Sequence, residues 1–153
     1  MPNLRIEPAT LEDLPELAGL LHDLFTLEAD FAPDREKQAR GLRLILEQPS
    51  RGRIFVLRND RMIVGMINLL ITISTAEGGF VLLLEDLVVH RDHRRLGYGS
   101  RLLRHAVEFA REKKFLRITL LTHDQDGVRG FYLKHGFRES GMRTMRLLVC
   151  DES

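Results

Sequence analysis

The sequence has a single cysteine and no long apolar run. Among 153 residues only Cys150 carries a thiol, which excludes an internal disulfide and suits a reducing compartment. No segment approaches the roughly twenty consecutive apolar residues of a membrane-spanning helix. The first ten residues, MPNLRIEPAT, do not resemble a secretory signal. We therefore expect a cytoplasmic protein that does not enter a membrane.

A strong excess of one charge is also absent. The 23 basic and 22 acidic side chains leave a formal net charge of +1, which does not support a general nucleic-acid-binding role. The charges are unevenly placed, because residues 1–40 carry nine acidic and four basic side chains. An acidic front suits a cationic substrate beside an anionic cofactor. Solvated helix faces that differ in sign explain the same counts equally well.

The pattern of apolar residues predicts one domain, 1–153, since no repeat, low-complexity tract or linker interrupts it. Apolar residues recur every two residues in some segments and every 3.6 in others. In chain order these segments predict a strand, two helices, three antiparallel strands, a helix, a strand, a helix and two strands. The strands are predicted at Leu4–Glu7, Arg53–Arg58, Met62–Ile73, Phe80–Val89, Phe115–Thr122, Phe137–Glu139 and Met142–Val149. The helices are predicted from near Asp13 to Phe25, at Pro33–Leu46, at Tyr98–Lys114 and at Val128–His135.

The most informative stretch is Leu84–Gly99, LEDLVVHRDHRRLGYG, in which a strand passes through a basic turn into a helix. Unpaired backbone N–H groups and the helix dipole converge at such a helix N-terminus and bind anions. Gly97 and Gly99 allow the backbone to approach a phosphate closely. The side chains of Arg91, Arg94 and Arg95 add formal positive charge. The stretch therefore predicts a phosphate-binding loop.

Two blocks of sequence resemble one known family. Arg94–Gly99, RRLGYG, is similar to the Arg/Gln-x-x-Gly-x-Gly/Ala loop with which the GNAT superfamily of N-acetyltransferases binds the pyrophosphate of acyl-CoA. Phe131–Phe137, FYLKHGF, resembles the FYxxxGF segment of the same family at the usual distance downstream. The resemblance implies the α/β (α+β) GNAT fold, a mixed, mostly antiparallel sheet of about seven strands with four helices. It also implies a V-shaped splay between the fourth and fifth strands.

The resemblance further implies acetyl-CoA as cosubstrate and names the residues that bind it. These are the backbone of Leu87, Val88 and Val89, the loop residues Arg94, Arg95, Leu96, Gly97, Tyr98, Gly99 and Ser100, and further along Gln125 and Tyr132. Two positions depart from the family pattern, because Gln125 stands where an asparagine is usual and Val128 where an alanine is usual. We expect an altered contact with the cosubstrate rather than loss of binding.

Acetyl transfer to an amine requires a base, because an alkyl ammonium group has a pKa of about 10.4. Glu85 and Asp86 interrupt the apolar fourth strand, and the family commonly uses a carboxylate on this strand. Strand alternation predicts that the two side chains face opposite sides. The sequence from Glu85 to Val89, EDLVV, resembles the spermidine/spermine (diamine) acetyltransferase branch, which favours Glu85. The alternatives are that Asp86 or an ordered water acts as base, that both carboxylates are merely exposed, or that one of them pairs with a nearby arginine.

Tyr132 is the predicted acid. In the resembled motif the tyrosine hydroxyl protonates the departing thiolate, and a phenol with a pKa of about 10 still carries its proton at neutral pH. The alternative is that Tyr132 and Phe131 only pack a helix face. None of the six histidines has metal-ligand spacing with a carboxylate or the cysteine, so no metal is predicted.

Together these features predict an N-acetyltransferase that moves an acetyl group from acetyl-CoA to a primary amine by direct attack in a ternary complex. The acceptor is expected to be a small polyamine-like or amino-acid-like molecule, and the resemblance makes a homodimer plausible. The alternative is an acyl-CoA-binding regulatory or protein-interaction module of the same fold without catalysis. Nucleic-acid binding through HRDHRR is disfavoured, because that segment lacks interleaved aromatic residues.

Overall fold

The computed structural model describes residues 3–27, 34–122 and 127–150. The chain divides into two compact units, Met1–Leu121 and Thr122–Ser153, and each is described by itself. The first unit contains the strands β1 Leu4–Pro8, β2 Gly52–Asn59, β3 Met62–Ser74, β4 Gly79–Val89 and β5 Ile118–Leu120. Its helices are α1 Leu14–Leu27, α2 Arg35–Leu46 and α3 Tyr98–Glu112. The second unit contains α4 Val128–Lys134.

The five strands form one sheet in the order of the sequence, β1-β2-β3-β4-β5. The first four strands are antiparallel to their neighbours, and β5 is parallel to β4. The parallel pair needs a crossover connection, which α3 supplies. The predicted mixed, mostly antiparallel sheet and the four predicted helices are therefore confirmed within the described residues.

The short 3-10 turn Leu11–Asp13, which leads directly into α1, shows why a helix begins here. The Thr10 N–H donates to Asp13 Oδ2 at 2.9 Å, as the spacing of these two residues predicts. The same carboxylate oxygen accepts a hydrogen bond from Arg58 Nη2 at 2.7 Å, and Arg58 also pairs with Glu7 on β1. The side chains of Arg58 and Asp13 are only 12% and 9% exposed. This ion cluster therefore joins the first helix to the first two strands.

Apolar side chains cover both faces of the sheet. On one face the inward residues of β2, β3 and β4 form a single core with α1 and α2. The members of this core that the sheet contributes are Ile54, Val56, Ile63, Met66 and Val88. On the other face Phe55 packs edge-on against Phe109 of α3, with ring centroids 5.1 Å apart. A Cβ added at Gly65 would lie 2.9 Å from Leu102, so α3 packs closely where β3 carries no side chain.

The prediction of about seven strands is wrong, because the described residues form five. Phe137–Glu139 and Met142–Val149 are not strands. The apolar residues of the latter segment are 80–96% exposed (Met142, Met145, Leu147, Leu148 and Val149). The strand predicted at Phe115–Thr122 shortens to Ile118–Leu120. A strand depends on pairing and packing more than on intrinsic preference, so an apolar alternating sequence alone does not make one.

The remaining boundaries differ only slightly from the predicted ones. Asp34 caps α2 by accepting hydrogen bonds from the N–H groups of Glu36 and Lys37, so the helix begins just after it. Pro33, the predicted first residue of this helix, lies outside the described residues. No helix in the described ranges has the length and hydropathy needed to cross a bilayer.

Candidate active site

Strand β4 contains a bulge at the centre of its length. Leu84 pairs with Leu69 of β3, and Asp86 pairs with the adjacent residue Asn68, so Glu85 has no residue opposite it. A bulge of this kind leaves one residue unpaired and often lies beside an active site. Glu85 is exposed. The predicted base therefore stands at the one position in β4 that the ladder leaves free.

The bulge replaces the simple alternation that the sequence predicts around Glu85. Residues opposite each other in a sheet share a face, so Leu84 lies on the face of Leu69 and Asp86 on that of Asn68. Leu69 and Asn68 are neighbours and face opposite sides. Asp86 therefore points to the face on which Ile54, the β2 partner of Asn68, packs against α1 and α2.

Asn68 and Asp86 form a buried polar pair on that face. Asn68 Nδ2 donates to Asp86 Oδ2 at 2.9 Å, and the two residues are 2% and 9% exposed. Asn68 Oδ1 is also buried, with no partner among the described residues. Asn68 was not among the residues predicted from the sequence. The feature of the sequence that could have indicated it is a single amide within the otherwise apolar run Ile63–Ile71, IVGMINLLI.

The outer edge of β4 opens beyond the bulge. Strand β5 pairs with β4 only from Leu82 to Leu84, and no strand in the described ranges pairs with this edge of β4 further along. The His90 N–H donates to Val64 O of β3 at 2.7 Å. By the alternation of an antiparallel ladder, the N–H groups of Leu87 and Val89 therefore point away from β3. The pairing of β5 with β4 ends at Leu84, and the V-shaped splay stays a prediction.

Not all three predicted backbone donors lie on this open edge. Val88 lies one residue from Leu87 and from Val89, so its N–H points toward β3. Its side chain is 4% exposed within the core formed with α1 and α2. Leu87 and Val89 thus have the geometry of ligand-binding donors, whereas Val88 has that of a core residue.

The turn after β4 leads the chain to the start of α3. Arg91–His93 forms one 3-10 turn, and Arg94 Nε donates back to Val89 O at 3.3 Å. Arg95 adopts a φ of 65°, in the left-handed region. The loop residues Arg91, Arg94, Arg95 and Leu96 are all exposed. The positive charge that the sequence predicts for this loop is therefore on the surface.

Gly97 is the residue before α3 and has a φ of 79°, which favours glycine. It provides no side-chain hydrogen bond to the helix N-terminus, unlike a serine or aspartate in the same place. Leu102 and Leu103 are fully buried and hold α3 against the sheet. A helix N-terminus without a side-chain cap, beside exposed arginines, has the features of a phosphate site. The loop therefore fits the pyrophosphate of acetyl-CoA.

The side chains of the predicted loop residues contribute unequally. Tyr98 is 7% exposed, and its ring stacks on His93 with centroids 6.5 Å apart, so its side chain belongs to the core. At the first turn of α3, Tyr98 therefore contributes its backbone to the predicted site, and not its buried side chain. Gly99 and Ser100 follow in the same turn and are half-buried.

In the second unit, Tyr132 belongs to an aromatic cluster on α4. Its ring packs edge-on against Phe131 and Phe137, with centroid distances of 5.1 and 5.5 Å. The Phe137 N–H donates to Tyr132 O at 3.1 Å, and Gly136 ends the helix with a φ of 92°. The FYLKHGF block is thus one local structure in which Tyr132 is half-buried. Gln125, the other predicted residue of this region, lies outside the described residues.

The predicted site residues belong to two different units of the chain. Glu85, the edge of β4 and the loop before α3 follow one another within the first unit, whereas Tyr132 belongs to the second. No group of three histidine, cysteine, aspartate or glutamate side chains with metal-binding geometry occurs in residues 3–27, 34–122 and 127–150.

A mixed sheet whose bulged fourth strand leads into an arginine-rich, glycine-capped helix N-terminus is typical of an acyl-CoA-dependent acyltransferase. The model of the Acetyltransferase (GNAT) family matches residues 17–137, so this chain belongs to that family. It is an acyl-CoA-dependent N-acetyltransferase, and membership of the family implies acetyl-CoA as its cosubstrate.

Two characterised relatives are similar to this chain. Aminoalkylphosphonate N-acetyltransferase of Salmonella typhimurium is 29% identical over 149 residues, which is 97% of this chain and 94% of the relative. Streptothricin acetyltransferase A of Bacillus subtilis is 39% identical over 64 residues, which is 41% of this chain and only 37% of that relative. Among solved structures, a probable acetyltransferase is 28% identical with a TM-score of 0.83, covering 96% of this chain and 99% of that one.

Proposed function

We propose that this protein transfers the acetyl group of acetyl-CoA to the primary amine of a small, amino-acid-like molecule, by direct attack in a ternary complex. The observation that carries the proposal is the bulge in β4. It leaves Glu85 exposed and out of the ladder, next to a strand edge whose Leu87 and Val89 N–H groups point away from β3. A carboxylate and two oriented donors are the groups that acyl transfer to an amine requires.

The residues that would hold the cosubstrate lie along β4 and the loop that follows. Acetyl-CoA supplies an activated thioester. We assign its pyrophosphate to the N-terminus of α3 after Gly97, with Arg94 and Arg95 as the neighbouring cations. The N–H groups of Leu87 and Val89 remain to donate to the ligand carbonyls, since β5 does not extend to them. Donors that the fold has already oriented stabilise charge on a carbonyl oxygen most effectively.

Glu85 is the proposed base. A primary amine arrives as an ammonium group with a pKa of about 10.4, so its proton has to leave before nitrogen attacks carbon. Glu85 is exposed and has no residue opposite it in β3, so its side chain can take that proton and release it to solvent. Asp86 is the buried member of the pair and is hydrogen-bonded to Asn68, which makes it less suited to proton exchange with water.

Tyr132 is the proposed acid, on the strength of the family motif in which it stands. A phenol is protonated at neutral pH, and a thiolate with a pKa of about 8.5 accepts a proton from a well-placed one. The ring of Tyr132 is held by Phe131 and Phe137 in its own unit, so its orientation is restrained before any ligand binds.

Four of the nine acidic residues in 1–40 have structural partners, which bears on the choice between a polyamine and an amino-acid-like acceptor. Asp13 and Glu7 pair with Arg58. The Glu16 carboxylate accepts from the Ile63 N–H at 3.2 Å, and Asp34 caps α2. These charges therefore have structural partners, which weakens the expectation of a polycation based on composition. The relative that matches almost the whole chain acts, by its name, on aminoalkylphosphonates, amines that also carry an acidic group.

A direct test measures thiol release from acetyl-CoA with a panel of amines. Aminoalkylphosphonates and amino acids represent the proposed class, spermidine and spermine represent the competing class, and the reaction without amine is the blank. We expect kcat/KM for the best acid-bearing amine to exceed that of either polyamine by at least about tenfold, or about 1.4 kcal/mol. Preference for spermidine would contradict the acceptor class and support the diamine branch.

The same assay distinguishes the enzyme from a binding module. A module of this fold without catalysis would be stabilised by acetyl-CoA in thermal unfolding yet would acetylate no amine. Tyr132→Phe sharpens the test, because removing a general acid lowers kcat by about 10²–10⁴-fold. The stabilisation by acetyl-CoA should be retained in this variant. An unchanged kcat would remove Tyr132 from the mechanism.

A further inference from the structure

The buried pair of Asn68 and Asp86 lies beside Glu85, yet the reaction proposed above does not use it. Asn68 donates to Asp86 at 2.9 Å from the strand opposite, and both residues are at most 9% exposed. We propose that Asn68 is a positioning residue for acetyl transfer: by holding Asp86 it selects the bulged register of β4. This inference rests on the proposed function, because the bulge is what exposes the base.

The pairing of β3 with β4 shows what a different register would do to Asp86. If β4 continued without a bulge after Leu84, Asn68 would stand opposite Glu85, and Asp86 would stand opposite Ile67. A one-residue shift moves every following side chain to the other face of the sheet. Asp86 would then lie on the apolar face that α3 covers, without the amide of Asn68. Only the bulged register gives Asp86 this buried polar partner.

The same choice of register decides where the backbone donors point. Before the bulge the Leu82 N–H donates to Arg117 O, on the β5 side, at 2.9 Å. Without a bulge the alternation would continue, and the N–H groups of Leu87 and Val89 would point to β3. The His90 N–H instead reaches Val64 O of β3, which shows that the alternation has been reversed. The bond from Asn68 to Asp86 therefore favours the register that turns both donors outward.

Stability alone does not account for the pair. A buried amide and carboxylate stabilise a fold no better than apolar side chains of similar shape, and an unpaired buried acceptor is costly. Asn68 Oδ1 is such an acceptor, since it has no partner in the described part of the chain. A buried polar pair instead specifies one register over another, because the unbulged register would leave Asp86 opposite Ile67, without the amide of Asn68.

The test separates positioning from stability with three variants. Asn68→Leu removes the hydrogen bond. The double variant Asn68→Leu/Asp86→Leu removes both polar groups and leaves an apolar pair. The exchange Asn68→Asp/Asp86→Asn restores an amide-to-carboxylate hydrogen bond in the opposite direction. Asn59→Leu, at the far end of β2, is the control for replacing an amide by leucine in this sheet. For each variant kcat with the best amine, thermal unfolding and stabilisation by acetyl-CoA are measured.

We expect Asn68→Leu to lower kcat by about a hundredfold, the effect of displacing reacting groups by about 1 Å. The double leucine variant should regain or exceed the wild-type unfolding temperature while kcat stays low. The exchange should recover most of kcat. A purely structural role predicts the opposite, with kcat following stability in all three variants, and a double leucine variant as active as wild type overturns the proposal.

Four further outcomes have a defined meaning. If Asn68→Leu does not fold, the exchange and the double leucine variant still answer the question, because one keeps the bond and the other does not. If the exchange folds but is as slow as the double leucine variant, the position of the Asp86 charge matters rather than the bond, and the proposal fails. A wild-type protein that acetylates no amine refutes the proposed function itself, whereas an active wild type matched by Asn68→Leu refutes only the positioning role.

Discussion

The two halves of β4 belong to the same strand but differ in what surrounds them. Up to Leu84 the strand pairs with β3 on one side and, from Leu82, with β5 on the other. From Glu85 onward it pairs with β3 alone among the described strands. The first half contains Leu82, 1% exposed, and the second begins with an exposed carboxylate. A single extra residue separates the part of β4 that pairs on both sides from the part whose outer edge pairs with no described strand.

This difference indicates how a core strand also becomes part of an active site. A central strand normally has both edges paired, so its backbone has no donors to spare. The bulge turns two N–H groups outward, and β5 ends before it reaches them. Substitutions before the bulge should therefore affect mainly stability, and substitutions of Glu85 should affect mainly catalysis.

The largest expected effect is a loss of catalysis when Glu85, in the second half of β4, is replaced. Glu85→Gln should lower kcat by about 10²–10⁴-fold, the usual contribution of a general base. Thermal unfolding should barely change, since Glu85 is exposed and unpaired in the ladder. Steady-state kinetics with the best amine measure the first quantity and a thermal melt the second. Glu108→Gln, an exposed glutamate on α3, is the control. Wild-type kcat across the pH range would show that Glu85 is not the base.

The next largest effect is a loss of stability when a buried residue in the first half of β4 is replaced. Leu82→Ala should lower the free energy of unfolding by about 2–5 kcal/mol, because it removes a fully buried side chain from the sheet. At temperatures where the variant remains folded, kcat should stay close to that of wild type. Urea unfolding measures the loss. Leu44→Ala on α2 is the matched control, since Leu44 is 55% exposed. A large loss of kcat in folded Leu82→Ala would mean that the halves are not separable.

The carboxylates of Asp13, before α1, and Glu7, on β1, should affect stability rather than catalysis. Burial raises the pKa of Asp13, but hydrogen bonds from Arg58 and the Thr10 N–H outweigh it, so its pKa is lowered on folding. The hydrogen bond from Arg58 also lowers the pKa of Glu7. A lowered pKa contributes stability that is present above the unfolded-state value and is lost as the pH falls through the folded-state value. Stability should therefore decline below about pH 4.

Arg58→Met tests this assignment. It should cost about 1.5–3 kcal/mol at pH 7, the range for hydrogen bonds to a charged group, and should flatten the acid part of the stability profile. Urea unfolding from pH 2 to pH 7 gives both quantities, and kcat should not change. Arg5→Met, which removes a more exposed partner of Glu7, is the control. A profile as steep as that of wild type would show that these carboxylates do not depend on Arg58.

The smallest expected effect is a gain in stability. Both side-chain polar atoms of Gln38 on α2 are buried and have no partner in the residues that the structure describes. Gln38→Met should therefore raise the free energy of unfolding by about 1 kcal/mol. Gln48→Met is the control and should lose a little stability, because Gln48 Nε2 donates to Leu44 O at 2.9 Å. A raised KM for the amine in Gln38→Met would instead place Gln38 in the acceptor site.

Much of the first unit could be predicted from local pattern. The run of leucines from Leu14 to Leu24, the spacing of Thr10 and Asp13, and the glycine before α3 each determine structure through interactions a few residues apart. The same holds for the β2–β3 hairpin, where Asp60 adopts a φ of 57° in the turn. The exposed, glycine-bearing loop was predictable for this reason.

The C-terminal segment and the bulge were not predictable in the same way. Met142–Val149 has the composition of a strand, but strand formation depends on a partner that composition does not specify. Simple alternation assigned Glu85 and Asp86 to opposite faces without anticipating that Leu84 and Asp86 would also separate. The bulge places Asp86 against Asn68, which lies on another strand eighteen residues away along the chain.

The sequence by itself determined the family, the helices, the order of the first four strands and the glycine-bearing loop before α3, because periodicity, capping and glycine conformation act over short distances. Only the tertiary structure decided which carboxylate on β4 is exposed, which backbone N–H groups face outward and where β5 stops. Those properties depend on the register between strands, and register is set by side chains that meet only when the sheet has formed.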